Sequence, residues 1–130
     1  MDKLTFYFDR NVGKRLPYAL AKLNPPVDIR WQQGEAFPQD MPDDVWLELV
    51  ANKNWIVLSQ DKKFHRIDAE IEAIRQHRAK CFYIPGASAP MWETACSFVR
   101  IHKQMIELAS EIPAPFIISF SVNGRWKRLL

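Results

Sequence analysis

NWIVLSQDKKFHR, residues 54–66, changes character twice. Trp55 to Leu58 is an apolar run rich in β-branched and aromatic types, which predicts a buried strand rather than a helix. Ser59 and Asp61 come next, and then Lys62, Lys63, His65 and Arg66. A buried strand that ends on an acid and then turns basic delivers that acid to the carboxyl edge of a sheet. In open α/β sheets that edge is where ligands bind.

Upstream, Leu4 to Phe8 is a second apolar run that ends on an acid, Asp9. Asn11 can cap the helix predicted over 12–23, in which Leu16, Ala19, Leu20 and Leu23 fall at helical spacing. Pro17 is tolerable there only in the first turn. Pro25-Pro26 forces a break before a weaker strand over 27–31. Gln32 to Pro42 reads as a loop, and Asp40 and Asp43 resemble a helix start, with Val45, Trp46, Leu49 and Val50 as the buried stripe.

Downstream, Ile67, Ile71 and Ile74 mark a third helix that carries Glu70. Lys80 to Ile84 reads as a strand closed by Pro85-Gly86. Trp92 to Ser110 is the longest helix, apolar through Ala95, Cys96, Val99, Ile106 and Ala109. Phe116 to Val122 is a strand, and Asn123-Gly124 is a two-residue hairpin turn into Arg125 to Leu129. This βαβαβαβ order predicts one α/β domain over 1–130: three layers, a mostly parallel sheet with right-handed crossovers, and a C-terminal antiparallel hairpin.

Composition narrows the class. With 48% hydrophobic and 25% charged residues the chain reads as an ordinary globular domain, without a run long enough to span a membrane. The expected location is cytoplasmic. Cys81 and Cys96 fit neither a redox pair nor a zinc site, so both are expected as buried packing thiols. The five tryptophans are expected in the core or at sheet edges. Net charge is only +3, but basic residues gather at Arg10, Lys14 and Arg15, at Lys62 to Arg66, at Arg75 to Lys80, and at Arg125 to Arg128. Singly these clusters read as solvated surface. Flanking two acid-bearing turns, they suit an anionic polymer held across a metal site.

The carboxylates carry the chemistry. Asp9 and Asp61 each close an apolar strand, and Asp43 opens the helix that leads into the central strand. Carboxylates brought that close repel unless a cation shares them. Hard oxygen donors suit Mg²⁺ or Mn²⁺. Alone, Asp9 reads equally as a helix cap, and Asp40 and Asp44 compete with Asp43. Ser59 strengthens Asp61 by placing a hydroxyl beside it. Glu70 reads as a solvent-facing residue with a lesser claim on the site. A receiver-like signalling domain also gathers acids at strand ends, but it calls for an acid pair after the first strand, where Asp9 is followed by Arg10.

FYFDRNVGKRLPYAL at 6–20, PDDVWLELVANKNWIVLSQDKKFHR at 42–66 and KCFYIPG at 80–86 together resemble the PIN-like domains of VapC-type toxins, in particular a compact PIN-like group among them. The most specific parts are Asp9 with Asn11, Asp43 with Trp46 and Leu47, and Ser59 with Asp61. The resemblance implies a Mg²⁺- or Mn²⁺-dependent endoribonuclease acting as the toxin of a type II toxin–antitoxin pair. Its metal-binding and catalytic acids would be Asp9, Asp43 and Asp61, with Glu70 as a further ligand. Arg10, Lys14, Ser59, Lys62 and Arg66 would meet the RNA. The implied partners are RNA and a cognate antitoxin protein, with a homodimer as an assembly the resemblance allows. Many such domains carry a fourth acid two residues after the third, and here that position is Lys63. A catalytically weak or inactive module that binds RNA or antitoxin on the same scaffold is the alternative.

Overall fold

The computed structural model describes residues 3–35, 41–60, 67–86 and 88–130, with the side chains at 33, 43 and 67–70 outside that description. Strands β1 (Thr5–Phe8), β2 (Asp28–Trp31), β3 (Ile56–Gln60), β4 (Lys80–Ile84), β5 (Phe116–Phe120) and β6 (Trp126–Arg128) form one sheet in the order β2-β1-β3-β4-β5-β6. Neighbours from β2 to β5 run parallel, and β6 returns antiparallel along β5. Helices α1 (Arg15–Lys22), α2 (Asp43–Asn52), α3 (Ile67–His77) and α4 (Met91–Glu111) connect the parallel strands. The architecture is the α/β fold expected from the alternation, with its antiparallel hairpin at one edge.

Strands buried on both faces need continuous apolar runs, and β1, β3, β4 and β5 supply them. Alternate residues point to opposite faces. Phe6, Phe8, Ile56, Leu58, Phe82, Phe116 and Ile118 pack with Leu16 and Leu20 of α1 and Phe98, Ile101 and Met105 of α4. Tyr7, Val57, Cys81, Tyr83 and Ile117 pack on the other face with Trp46, Leu47 and Val50 of α2 and Ile74 of α3. Phe98 anchors the first layer, its ring 6.2 Å from Phe6 and 5.8 Å from Phe8. Burying one such side chain contributes about 1.5–3 kcal/mol. Helices α1, α2 and α3 each end near a left-handed residue, Asn24, Asn54 and Arg78, which turns the chain towards its next strand.

Several expectations change. The helix expected over 12–23 is split: Arg10–Val12 form a 3-10 turn, Gly13 adopts φ 83°, and α1 begins at Arg15, which leaves Pro17 in its first turn. On α2 the buried stripe is Trp46, Leu47 and Val50, while Val45 and Leu49 are exposed. Trp46 decides that rotation by lying on Tyr7, with ring centroids 5.5 Å apart. On α4 the buried stripe is Thr94, Phe98, Ile101, Met105 and Ala109. The competing arc through Cys96 and Val99 faces outwards, because the larger aromatic and methionine stripe buries more apolar area. Cys96 is therefore not a buried thiol, whereas Cys81 is. Trp92, 77% exposed at the start of α4, is neither core nor edge packing.

The crossovers differ from the expected uniform hand. α3 and α4 both carry the chain one strand further in the same direction, yet they pack on opposite faces of the sheet. Two parallel crossovers so arranged have opposite hands. The α4 connection is the left-handed one, since α1, α2 and α3 are mutually consistent with the right-handed preference. Its effect is to bring the start of α4 beside the start of α1.

Candidate functional site

The order of the parallel strands reverses between β1 and β3, since the chain leaves β1 towards β2 and leaves β3 towards β4. That reversal opens the crevice where sheets of this kind bind ligands. Phe8 pairs with Leu58, and the Asp9 amide donates to the Leu58 carbonyl at 2.9 Å. The ends of β1 and β3 are therefore direct neighbours, as the two acid-terminated runs predicted.

Asp9 stands at the N-terminal boundary of the 3-10 turn, but its side chain caps nothing there. Its Oδ2 accepts a hydrogen bond from Ser59 Oγ at 3.1 Å. Ser59 Oγ in turn accepts from Asn11 Nδ2 at 2.9 Å, and Asn11 Oδ1 accepts from the Gln60 amide at 3.4 Å. Asn11 is thus no helix cap. It bridges the turn after β1 to the last two residues of β3, a role that its spacing from Asp9 did not reveal. Ser59 is buried and Asp9 half-buried, so the network holds the Asp9 carboxylate in one orientation at the sheet edge.

The strand β3 extends to Gln60, two residues beyond the apolar run, because Ser59 and Gln60 still pair with Tyr83 and Ile84 of β4. Tyr7 precedes Asp9 on the same face. Burial, and after it the Asp9 and Glu35 carboxylates, push its hydroxyl well above the ordinary tyrosine range, against a smaller opposing effect of Arg10.

A cavity of about 240 Å³ lies beneath Asp9 and Ser59 on the α2–α3 face, lined also by Trp46, Val57, Tyr83 and Asp44. Asp44 Oδ1 lies 2.6 Å from Nε2 of His77, the last residue of α3. That contact holds the first turn of α2 against the part of α3 that leads into the amino end of β4. Asp43, one residue earlier, is turned about 100° around the helix from Asp44. It is the first residue of α2, directly after Pro42, which stands at the helix boundary without a side-chain cap.

The remaining expected site residues divide. Arg10 and Lys14 are exposed on the turn that follows β1, next to the network. Glu70 lies on α3, with its side chain outside the described residues. Asp61, Lys62 and Arg66 lie outside the described residues, as do Lys63 and His65. The Asp9 carboxylate and the Ser59 hydroxyl are hard oxygen donors of the kind Mg²⁺ and Mn²⁺ accept. Among the described residues no three His, Cys, Asp or Glu side chains group as a metal centre.

No helix among the described residues is long and apolar enough to cross a membrane. A family model for a PIN-like domain matches residues 4–86. The match runs from the residue before β1 to the glycine after β4, and so includes both strand ends that meet at the crevice. No curated protein and no solved structure gives a significant match.

Proposed function

The chain belongs to the PIN-like domain family, a nuclease-type fold, and on that premise we propose that it is a metal-dependent endoribonuclease, the toxin of a type II toxin–antitoxin pair. The observation that carries this reading is the Asp9 carboxylate at the β1–β3 crevice, oriented by Ser59 and Asn11. A carboxylate fixed by part-buried hydrogen bonds at such a crevice is poised to hold a cation rather than to solvate the surface. The neighbouring cations Arg10 and Lys14 suit a phosphodiester strand crossing the same edge.

In this reading Asp9, Asp43 and Asp61 hold Mg²⁺ or Mn²⁺, with Glu70 within the ligand set. When bound, the ion neutralises phosphate charge and makes an attacking water more acidic. Ser59 and Asn11 position Asp9, and Lys62 and Arg66 join Arg10 and Lys14 in meeting RNA phosphates. RNA and a cognate antitoxin protein are the partners this function entails, in the cytoplasm. Lys63, at the position of a fourth acid, favours a second reading: a weak or inactive module that binds RNA or antitoxin.

Cleavage of a structured RNA pool with Mg²⁺ or Mn²⁺, with and without EDTA, tests both. Asp9→Asn and Asp61→Asn are expected to lower the rate roughly 10²–10⁴-fold, the range for losing activation of the attacking group. Metal-independent cleavage, or full activity in Asp9→Asn, refutes the nuclease assignment. RNA binding without cleavage in the wild type supports the second reading.

A further inference from the structure

Helix α4 buries one side and leaves a second apolar stripe uncovered. Thr94, Ile101 and Leu108 recur at heptad spacing and face the sheet. With these three at the f positions of a heptad, the outward a and d positions are Trp92, Cys96, Val99 and Lys103. Trp92 is 77% exposed and Val99 53% exposed, and the Cys96 thiol is exposed between them. Scattered exposed apolar residues need no explanation. A stripe at a and d spacing, directly opposite a buried face, is the seam along which helices pair.

One flank of this stripe carries opposite charges. Glu93 and Arg100 both fall at e, about two turns apart. Arg100 Nη1 donates to the Val122 carbonyl at 2.8 Å, which holds the guanidinium on that flank with further N–H groups to spare. Val122 is itself exposed and extends the apolar surface beside it. Glu93 and Lys103 make no ion pair among the described residues.

Such a face complements itself. When two copies of a helix lie antiparallel, a positions meet d positions and e positions meet e positions. A two-fold axis at the level of Ser97 and Phe98 sets Cys96 against Val99 of the second copy, and Trp92 against its Lys103. The same axis brings Glu93 opposite Arg100, and every contact occurs twice. An ammonium over an indole and a carboxylate beside a guanidinium are both favourable. A parallel pair would instead face Lys103 with Lys103 and leave Glu93 and Arg100 unpaired across the seam.

We propose that the outer face of α4 is a homodimer interface, in which two copies pair antiparallel through Trp92, Cys96, Val99 and Lys103 and fix their register with Glu93–Arg100 ion pairs. The occupant is a second copy of this chain rather than RNA, because the face supplies its own complement to both of its cations. The Asp9 cavity lies on the sheet face away from α4, so the dimer leaves it uncovered. So short a seam belongs with the small, reversible interfaces, and a micromolar dissociation constant is expected.

Sedimentation velocity of the full chain over a concentration series tests this. The wild type should pass from monomer to dimer across the micromolar range. Val99→Glu, Glu93→Arg and Arg100→Glu should each weaken the dimer about tenfold, the worth of about 1.4 kcal/mol. An equimolar mixture of Glu93→Arg and Arg100→Glu should recover wild-type association, an outcome that misfolding of either variant cannot produce. A short bismaleimide should link the wild type through Cys96 and leave Cys96→Ser unlinked, since Cys81 is buried. A monomer at every concentration, a dimer indifferent to the three substitutions, or a mixture no better than its parts overturns the proposal. So does a monomer whose binding to single-stranded RNA falls in Trp92→Ala, since the face would then serve nucleic acid. Cleavage enters none of these measurements, so the dimer and the nuclease reading stand or fall separately.

Discussion

Replacing Ser59 by alanine removes a single oxygen, and the network fixes what that oxygen is worth. Ser59 is 4% exposed, donates to the Asp9 carboxylate at 3.1 Å and accepts from Asn11 at 2.9 Å. A hydrogen bond to a charged group contributes roughly 1.5–3 kcal/mol and a neutral one about 1 kcal/mol. Asp9 and Asn11 are only half-buried, so water recovers part of what each loses. The expected net cost is roughly 2–3 kcal/mol. For a domain of this size that corresponds to a fall in Tm of about 6–15 °C. Urea denaturation of the wild type, Ser59→Ala, Asn11→Ala and the double variant measures it, and the double-mutant cycle isolates the Ser59–Asn11 coupling, expected at about 0.5–1.5 kcal/mol. If the enzyme reading holds, Ser59→Ala should also lower metal-dependent cleavage about 10–100-fold at a temperature where it remains folded, the usual effect of losing a partner that orients a ligand. A loss below about 0.5 kcal/mol, with no coupling to Asn11, would refute the claim that this network orders the crevice.

Two further predictions concern the scaffold. The Tyr7 hydroxyl has its pKa raised above the ordinary 10.0, so the unfolded chain ionises first as pH rises. The stability tied to its neutral form is complete below about pH 10 and falls above it by about 1.4 kcal/mol per pH unit. Tyr7→Phe should therefore flatten the decline of the urea midpoint between about pH 10 and 11, and equal declines in both proteins would count against the buried hydroxyl as its cause. Gly86 sits at φ 108°, and a Cβ there would lie 2.5 Å from the Thr94 hydroxyl oxygen. Gly86→Ala should cost roughly 2–4 kcal/mol from left-handed backbone and crowding together, and a calorimetric Tm equal to that of the wild type would show that the turn before α4 yields easily.

Much of the fold was legible because parallel strands advertise themselves. Runs such as FYF at 6–8, IVL at 56–58 and CFYI at 81–84 have no polar face, and helical spacing lies between them. Asp9 was legible as a candidate for the same reason, by standing where an apolar run stops. What sequence spacing could not settle was which of two apolar arcs a helix would bury. On α2 and α4 the choice was made by aromatic neighbours on the sheet, Tyr7 for Trp46 and the Phe6–Phe8 pair for Phe98. Asn11 was read as a cap because a cap is a local contact, whereas its actual partners lie in another strand. That β3 runs on through Gln60 carried no signal, since a glutamine between a serine and an aspartate looks like the first residue of a loop. The odd hand of the α4 crossover was likewise hidden, because handedness depends on which face a helix chooses and not on the order of elements.

The bonds that bind Asn11 and Asp9 to β3 join residues 48 to 50 positions apart. Between them lie α1, β2 and α2, all of which must be threaded past before β1 and β3 can pair side by side. Closing so long a segment is unfavourable until the pairing itself repays it, which places such contacts late in assembly. The crevice is thus absent from any partly folded chain that has not brought its first strand home. It also has no independent existence once formed: an opening that parts β1 from β3 dismantles Asp9, Ser59 and Asn11 together, and exchange of the Asp9 and Gln60 amides with solvent deuterium reports the frequency of that opening.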